Sequence, residues 1–253
     1  PIYAKTSVLV SAEEIKNMTA DEIQKRVEQS FVYDQYRYQY DHKLLMKSKN
    51  RAKNIHKILY KCPHCKSEFT TDSDGTHIWC NSCGHKWEMD GYSRLHAVEG
   101  ETYFEHVPDW YLWEKAEVRR EIEAGTYRFE DIVRVMHHIN ASELRYEGTV
   151  KCVHDANGFA FSGTLDNGET FDLKKSVASM YSLHIDYNFR KKGNAFDIAT
   201  DEETYFMYPV LNANPLTKLQ FAVEELYNYY IRDGHNRDHK DAETAAKPVE
   251  SAE

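Results

Sequence analysis

The sequence predicts an α+β fold, and three observations carry that reading. Two Cys-x2-Cys pairs, Cys62/Cys65 and Cys80/Cys83, stand 14 residues apart (Lys66 to Trp79) and have the spacing of two turns facing each other across a hairpin. From Phe129 to about Pro209 the chain breaks into short segments of alternating or continuous apolar character, separated by tight-turn residues. An amphipathic helical pattern then follows Asn214-Pro215, with Leu216, Leu219, Val223, Leu226 and Tyr230 on one face.

The N-terminal part reads as helical. Ser11 with Glu14, and Thr19 with Glu22, are successive capping boxes. Ile23, Val27 and Phe31 recur every four residues and predict a buried stripe, against which Tyr33, Tyr36, Tyr38 and Tyr40 are expected to pack. Ahead of them, Ser7-Val8-Leu9-Val10 is strand-like with nothing preceding it to pair with. That run suggests a fragment whose sheet lies upstream, a processing or cloning end being the alternative. The basic residues from Lys43 to Lys61 read as a solvated face. Pro108-Asp109-Trp110 starts a further helix ending at Gly125. Trp110, Trp113, Val118 and Ile122 form its apolar side, and Glu114, Glu117, Arg119, Arg120 and Glu123 face water.

In the β region the expected strands are Ile132–Ile139, Arg145–Val153, Phe159–Thr164, Thr170–Leu173, Val177–Phe189, Ala195–Ala199 and Thr204–Val210. Asn157-Gly158 and Asp166-Asn167-Gly168 are hairpin turns, and such short links demand antiparallel pairing. Seven strands and a helix is the element order of a pleckstrin-homology-like barrel. The expected organisation is therefore a helical linker to residue 58, a cysteine module at 59–98, a linking helix at 99–126, an antiparallel β domain with its C-terminal helix at 127–232, and a disordered tail at 233–253.

Four thiolates from two Cys-x2-Cys turns suit a tetrahedral Zn2+, with Gly84 at the positive-φ position after the second pair. Cys62, Cys65, Cys80 and Cys83 are thus the expected metal ligands of a zinc ribbon. The closed ligand set makes the metal structural, holding a segment too small to fold on its own core. Iron in the same cage remains open, whereas disulfides lack a secretory context and a redox pair lacks its βαβ setting. His64, His77 and His85 are not expected among the ligands, and Cys152 reads as a buried thiol.

Composition narrows the function classes. The chain has a formal charge of −9, and between Tyr60 and Leu95 four Lys or Arg face five Asp or Glu. A nucleic-acid-binding ribbon should be basic. A free-standing interaction module is the alternative reading, and it would require salt-sensitive nucleic-acid binding. No run approaches the ~20 apolar residues of a membrane span, and no signal-peptide pattern opens the chain; a cytoplasmic protein is expected. No phosphate loop, dinucleotide fingerprint or nucleophile elbow occurs. His85 to Asp90 spells H-x4-D, but 13 histidines make one such spacing expected by chance, and the string abuts a Cys pair. His137-His138 would point to opposite faces of a strand.

Several longer strings carry a resemblance. Tyr60 to Cys65, Trp87 to Asp90, Gly100 to Thr102, His106 to Tyr111, Glu117 to Ile122, Asn157 to Phe159 and Glu224 to Tyr227 resemble the C-terminal extension of bacterial lysophospholipid acyltransferases, the 1-acyl-sn-glycerol-3-phosphate acyltransferase family. The resemblance spans about Ser11 to Tyr230. It implies a catalytic H-x4-D domain upstream that transfers acyl groups to lysophosphatidate in phospholipid synthesis, whose last strand and helix would correspond to roughly Tyr3 to Phe31. The piece in hand would then be inactive alone and carry no catalytic residue. Its implied partners are the catalytic domain, an acyl-donor partner, or the inner membrane face as a peripheral surface.

Overall fold

The computed structural model describes residues 6–140 and 143–235; the predicted tail from 236 to 253 lies outside the described residues. The chain divides into two compact units, residues 1–45 and 46–253.

The first unit is helical: α1 (Ala12–Ile15), α2 (Ala20–Ser30) and α3 (Gln35–Asp41). Both capping boxes form, with Ser11 Oγ accepting from the Glu14 amide and Thr19 Oγ1 from the Glu22 amide. Residues 6–10 carry no strand. The expected stripe is only half-covered: Ile23 and Val27 are partly buried, while Phe31 is 80% exposed. Tyr33 and Tyr38 are exposed as well. Four-residue spacing shows which side chains share a face, but not what covers that face.

Among its described residues the second unit holds two antiparallel sheets and two α-helices. The smaller sheet is a four-stranded meander of β1 (Thr71–Asp74), β2 (His77–Cys80), β3 (Lys86–Met89) and β4 (Leu95–Ala97). Ile78, Trp87, Met89 and Leu95 form its buried side. Helix α4 (Val107–Glu123) follows, opened by Pro108 in its first turn and closed before Gly125, whose φ of +67° continues the chain without a Cβ clash.

The larger sheet comprises β5 (Phe129–Asn140), β6 (Glu143–Asp155), β7 (Gly158–Thr164), β8 (Thr170–Lys175), β9 (Ile185–Asp186), β10 (Ala195–Ala199) and β11 (Thr204–Pro209), in the order β8-β7-β6-β5-β11-β10-β9. In a flat sheet β7 and β10 would lie ~19 Å apart, four strand spacings. Instead the Phe159 and Phe161 rings stand 5.5 and 6.3 Å from the Phe196 ring, so the sheet curls around its own core. Helix α5 (Leu216–Tyr227) lies against that core with Leu216, Leu219, Phe221, Val223 and Leu226 buried.

One expected strand is overturned. Val177–Phe189 has period-two apolar residues, yet it forms a single 3-10 turn at Val177–Ser179 and pairs only at Ile185–Asp186. Val177 and Leu183 dip into the core while Tyr181 stays 74% exposed, and Asn188 turns the chain with φ +66°. The segment lies over the core rather than extending the sheet.

Candidate metal centre

Both Cys-x2-Cys turns are built by the backbone. After the first pair, the Lys66 amide donates to the Cys62 carbonyl and the Cys62 amide to the Ser67 carbonyl, each at 2.9 Å. The second repeats the pattern, Gly84 N–H to Cys80 O at 2.8 Å and Cys80 N–H to His85 O at 2.9 Å. The residue after each pair has positive φ: Gly84 at +76°, as its type suggests, and Lys66 at +62°, which its type does not. The turns aim amides at sulfur. His64 and Cys65 donate to Cys62 Sγ, Ser67 to Cys65 Sγ, and His85 to Cys83 Sγ.

These turns bring all four sulfurs within 4.8 Å of one another. Cys62 Sγ lies 3.8 Å from Cys83 Sγ, and Cys65 Sγ lies 3.7 Å from Cys80 Sγ. A disulfide needs ~2.05 Å, so these are not bonded pairs. Four sulfurs ~2.3 Å from a tetrahedral centre would be ~3.8 Å apart; these two pairs have that spacing, and the others lie within 4.8 Å. The group is positioned to hold a metal ion. Burial raises the Cys62 thiol above the ordinary range; Cys83, though exposed, is raised by its partial desolvation and by contacts with the Cys65 and Cys80 sulfurs. At Cys65 burial also acts upward, but hydrogen bonds with the Ser67 hydroxyl and amide and with the Cys83 and Cys62 sulfurs together outweigh it and bring the thiol down to about 6. Thr70 Oγ1, 3.3 Å from Cys80 Sγ, is placed to donate to that thiolate, whereas Ser67 Oγ accepts from the Cys65 thiol at 3.3 Å and donates to Ser82 Oγ at 3.2 Å.

The neighbouring histidines have other partners. His64 Nδ1 meets the Tyr103 hydroxyl at 2.7 Å, and its ring stacks on His85 at 4.9 Å. His85 Nε2 donates to the Glu101 carbonyl at 2.9 Å. Asp90, the other end of the H-x4-D string, accepts from the Tyr92 and Arg94 amides at 2.8 and 2.9 Å and from His96. It shapes a turn. His137 faces Glu147 and Glu203, whereas His138 lies edge-on to Phe206, so the adjacent pair acts on two faces. Cys152 is buried in β6, and burial raises its thiol.

The residue just before the first ligand is held by α4. Glu114 Oε1 accepts the Lys61 amide at 2.7 Å, and Trp110 Nε1 donates to the Lys61 carbonyl at 2.9 Å. Trp110 also packs against Trp87 of β3, centroids 4.9 Å apart. Glu114, expected at the surface, is 0% exposed. It falls one helical turn after Trp110 and one before Val118, on the buried stripe, where carboxyl and apolar groups share a face. Burial drives its pKa well above the carboxylate range, against the pull of the Lys61 amide. Its Oε2 and the neighbouring Tyr60 hydroxyl are buried with no hydrogen-bond partner among the described residues.

Lys61 also departs from the solvated face expected of it. Its ammonium lies 3.3, 3.2 and 3.4 Å from Glu68, Glu117 and Glu121. Lys218 of α5 shares two of these carboxylates, at 2.7 Å from Glu68 and 3.0 Å from Glu121. Lys115 and Arg119 reach across to Glu224 and Glu225, so the α4 charges that looked self-paired also bind α5. The four-cysteine module, α4 and α5 thus share one buried junction. The signal available for Glu114 was its four-residue spacing from Trp110 and Val118; nothing in the sequence near Lys61 or Lys218 marked them.

No protein-family model, curated protein or solved structure matches this chain.

Proposed function

We propose that Cys62, Cys65, Cys80 and Cys83 hold one structural Zn2+, making residues around 59–98 a zinc ribbon, and that the chain is the C-terminal accessory region of a glycerolipid acyltransferase. The observation that carries the metal assignment is the gathering of four sulfurs within 4.8 Å, two pairs of them at 3.7 and 3.8 Å, with backbone amides donating to the sulfurs of Cys62, Cys65 and Cys83. Four thiolates fill the coordination sphere and leave no position for substrate, so the ion clamps a fold rather than reacts. The larger sheet is read as a pleckstrin-homology-like barrel, supported by its strand order, its curl and the helix packed on it.

The acyltransferase reading rests on the strings that resemble that family. Most of those strings meet at the junction just described. Tyr60 to Cys65 lies against His106 to Tyr111 through Trp110, Trp87 Nε1 donates to Thr102 O at 2.8 Å, and Arg119 reaches Glu225. An accessory region whose distinctive residues build its own framework fits a role in presenting or steadying a catalytic domain that lies elsewhere. The test is to express the natural reading frame that contains this segment and to assay acyl transfer to lysophosphatidate, with and without Cys65→Ser. Acyl transfer by the longer product, weakened or destabilised by the variant, is expected. A natural product without acyltransferase activity would overturn the assignment while leaving the metal site intact.

A further inference from the structure

The strand register of the large sheet sorts charge to its two ends. The hairpins β7–β8 and β10–β11 lie at one end and carry Asp166, Glu169, Asp201, Glu202 and Glu203. The β9–β10 connection lies at the opposite end, beside the close of β11. It carries the consecutive exposed residues Arg190, Lys191 and Lys192. Arg134 of β5 joins them, its guanidinium donating to the Lys192 carbonyl at 3.0 Å and lying over the Tyr208 ring at 5.3 Å. Among the described residues no carboxylate lies within ion-pair distance of Arg134, Lys191 or Lys192; the other acids of this end include Asp186 on β9, and Glu130 and Asp155, which are engaged by Arg128.

The same end presents apolar surface. Asn194 donates to Asn214 at 2.7 Å and ties the basic connection to the loop after β11, where Val210 and Leu211 are 52% and 68% exposed. Two exposed aliphatic side chains beside a basic rim are suited to a headgroup layer, the aliphatics entering the interface and the cations meeting phosphate. An acidic protein surface would match the cations but not the aliphatic tip. The acidic hairpins at the far end would turn away from a negative surface, so the whole domain orients as it approaches.

We infer that this end of the sheet, with Arg134, Arg190, Lys191, Lys192, Val210 and Leu211, is a docking surface for a bilayer leaflet containing anionic phospholipid. The choice of a bilayer as occupant rests on the acyltransferase reading; the charge sorting does not. The test is flotation of the full metal-loaded chain with phosphatidylcholine vesicles, with and without phosphatidylglycerol. The wild-type chain should float with the anionic vesicles and detach as salt screens the contact. Lys191→Gln with Lys192→Gln should weaken partitioning by about 25-fold, about fivefold per side chain, and Leu211→Ser should weaken it further. Asp201→Asn with Glu202→Gln should not weaken it. Failure of the wild-type chain to float with anionic vesicles at low salt overturns the inference, as does equal flotation of the double lysine variant. Binding of inorganic phosphate or an acidic protein without vesicle preference also overturns it. None of these results bears on acyl transfer by the longer product, so the two readings fail separately.

Discussion

Replacing Glu114 by Gln should stabilise the protein at neutral pH, although the wild-type side chain makes a short hydrogen bond. The carboxyl is fully buried; burial raises its pKa, and the nearby Glu68 adds to the rise. An unfolded chain releases this proton near 4.5, whereas the folded protein keeps it to much higher pH. Between those limits the native state binds the extra proton, so stability falls as pH rises, by about 1.4 kcal/mol per pH unit. Gln keeps an oxygen for the Lys61 amide and does not titrate. The stability difference in favour of Glu114→Gln should therefore widen steadily as pH rises from 5 toward 7. Urea unfolding followed through tryptophan fluorescence, with metal saturating in both proteins, measures it at each pH. Glu114→Leu supplies the contrast: it strands the Lys61 amide and should cost about 1–3 kcal/mol relative to Gln. A difference between Gln and wild type that is flat with pH, or a Gln variant less stable at pH 7, would refute the reasoning.

Other consequences concern the larger sheet. His154 is buried between the Tyr127 hydroxyl at 2.9 Å and the stacked Phe159 ring, and burial lowers its pKa to about 3. The ring must stay neutral in the fold while the unfolded chain protonates near 6.5, so its contribution is present above 6.5 and is lost as pH falls toward 3. His154→Phe should flatten the acid limb of a stability profile between pH 6 and 4; an unchanged slope would disprove this. Gly158 has φ +94°, and a Cβ there would stand 2.1 Å from the Lys175 carbonyl oxygen, whereas Gly168 at φ +88° has no heavy atom within 4 Å of its Cβ position. Gly168→Ala should cost about 1–2 kcal/mol for the backbone alone, and Gly158→Ala clearly more in the same denaturation assay. Equal costs would show that the close approach does not matter.

The parts legible in the sequence are those where local chemistry leaves one solution. Paired Cys-x2-Cys turns, two capping boxes, Pro108 and Gly125 around α4, and Asn157-Gly158 at a hairpin all specify backbone geometry within a few residues. What escaped the sequence was decided by distant contacts. Val177, Leu183 and Ile185 alternate like a strand, but β10 pairs with only two residues there, and the core recruits the others separately. Glu114 carries a solvent-type side chain on a core-facing position, and only the fold shows the Lys61 amide that it meets. Lys61 and Lys218 are 157 positions apart and become neighbours only when α5 lies along the module. The metal ligands were legible because their partners are near in sequence; the junction that seats them was not, because its partners are far.

The most direct test of the account is the content and ligand shell of the metal in the purified chain. Elemental analysis with X-ray absorption at the zinc edge should find one Zn2+ per chain, bound by four sulfurs at about 2.3 Å. Its removal by chelation should unfold the β1–β4 sheet while Cys152 in β6 remains protected from thiol reagents. A chain lacking stoichiometric metal, holding iron, showing nitrogen or oxygen in the ligand shell, or containing a disulfide among Cys62, Cys65, Cys80 and Cys83 would contradict it.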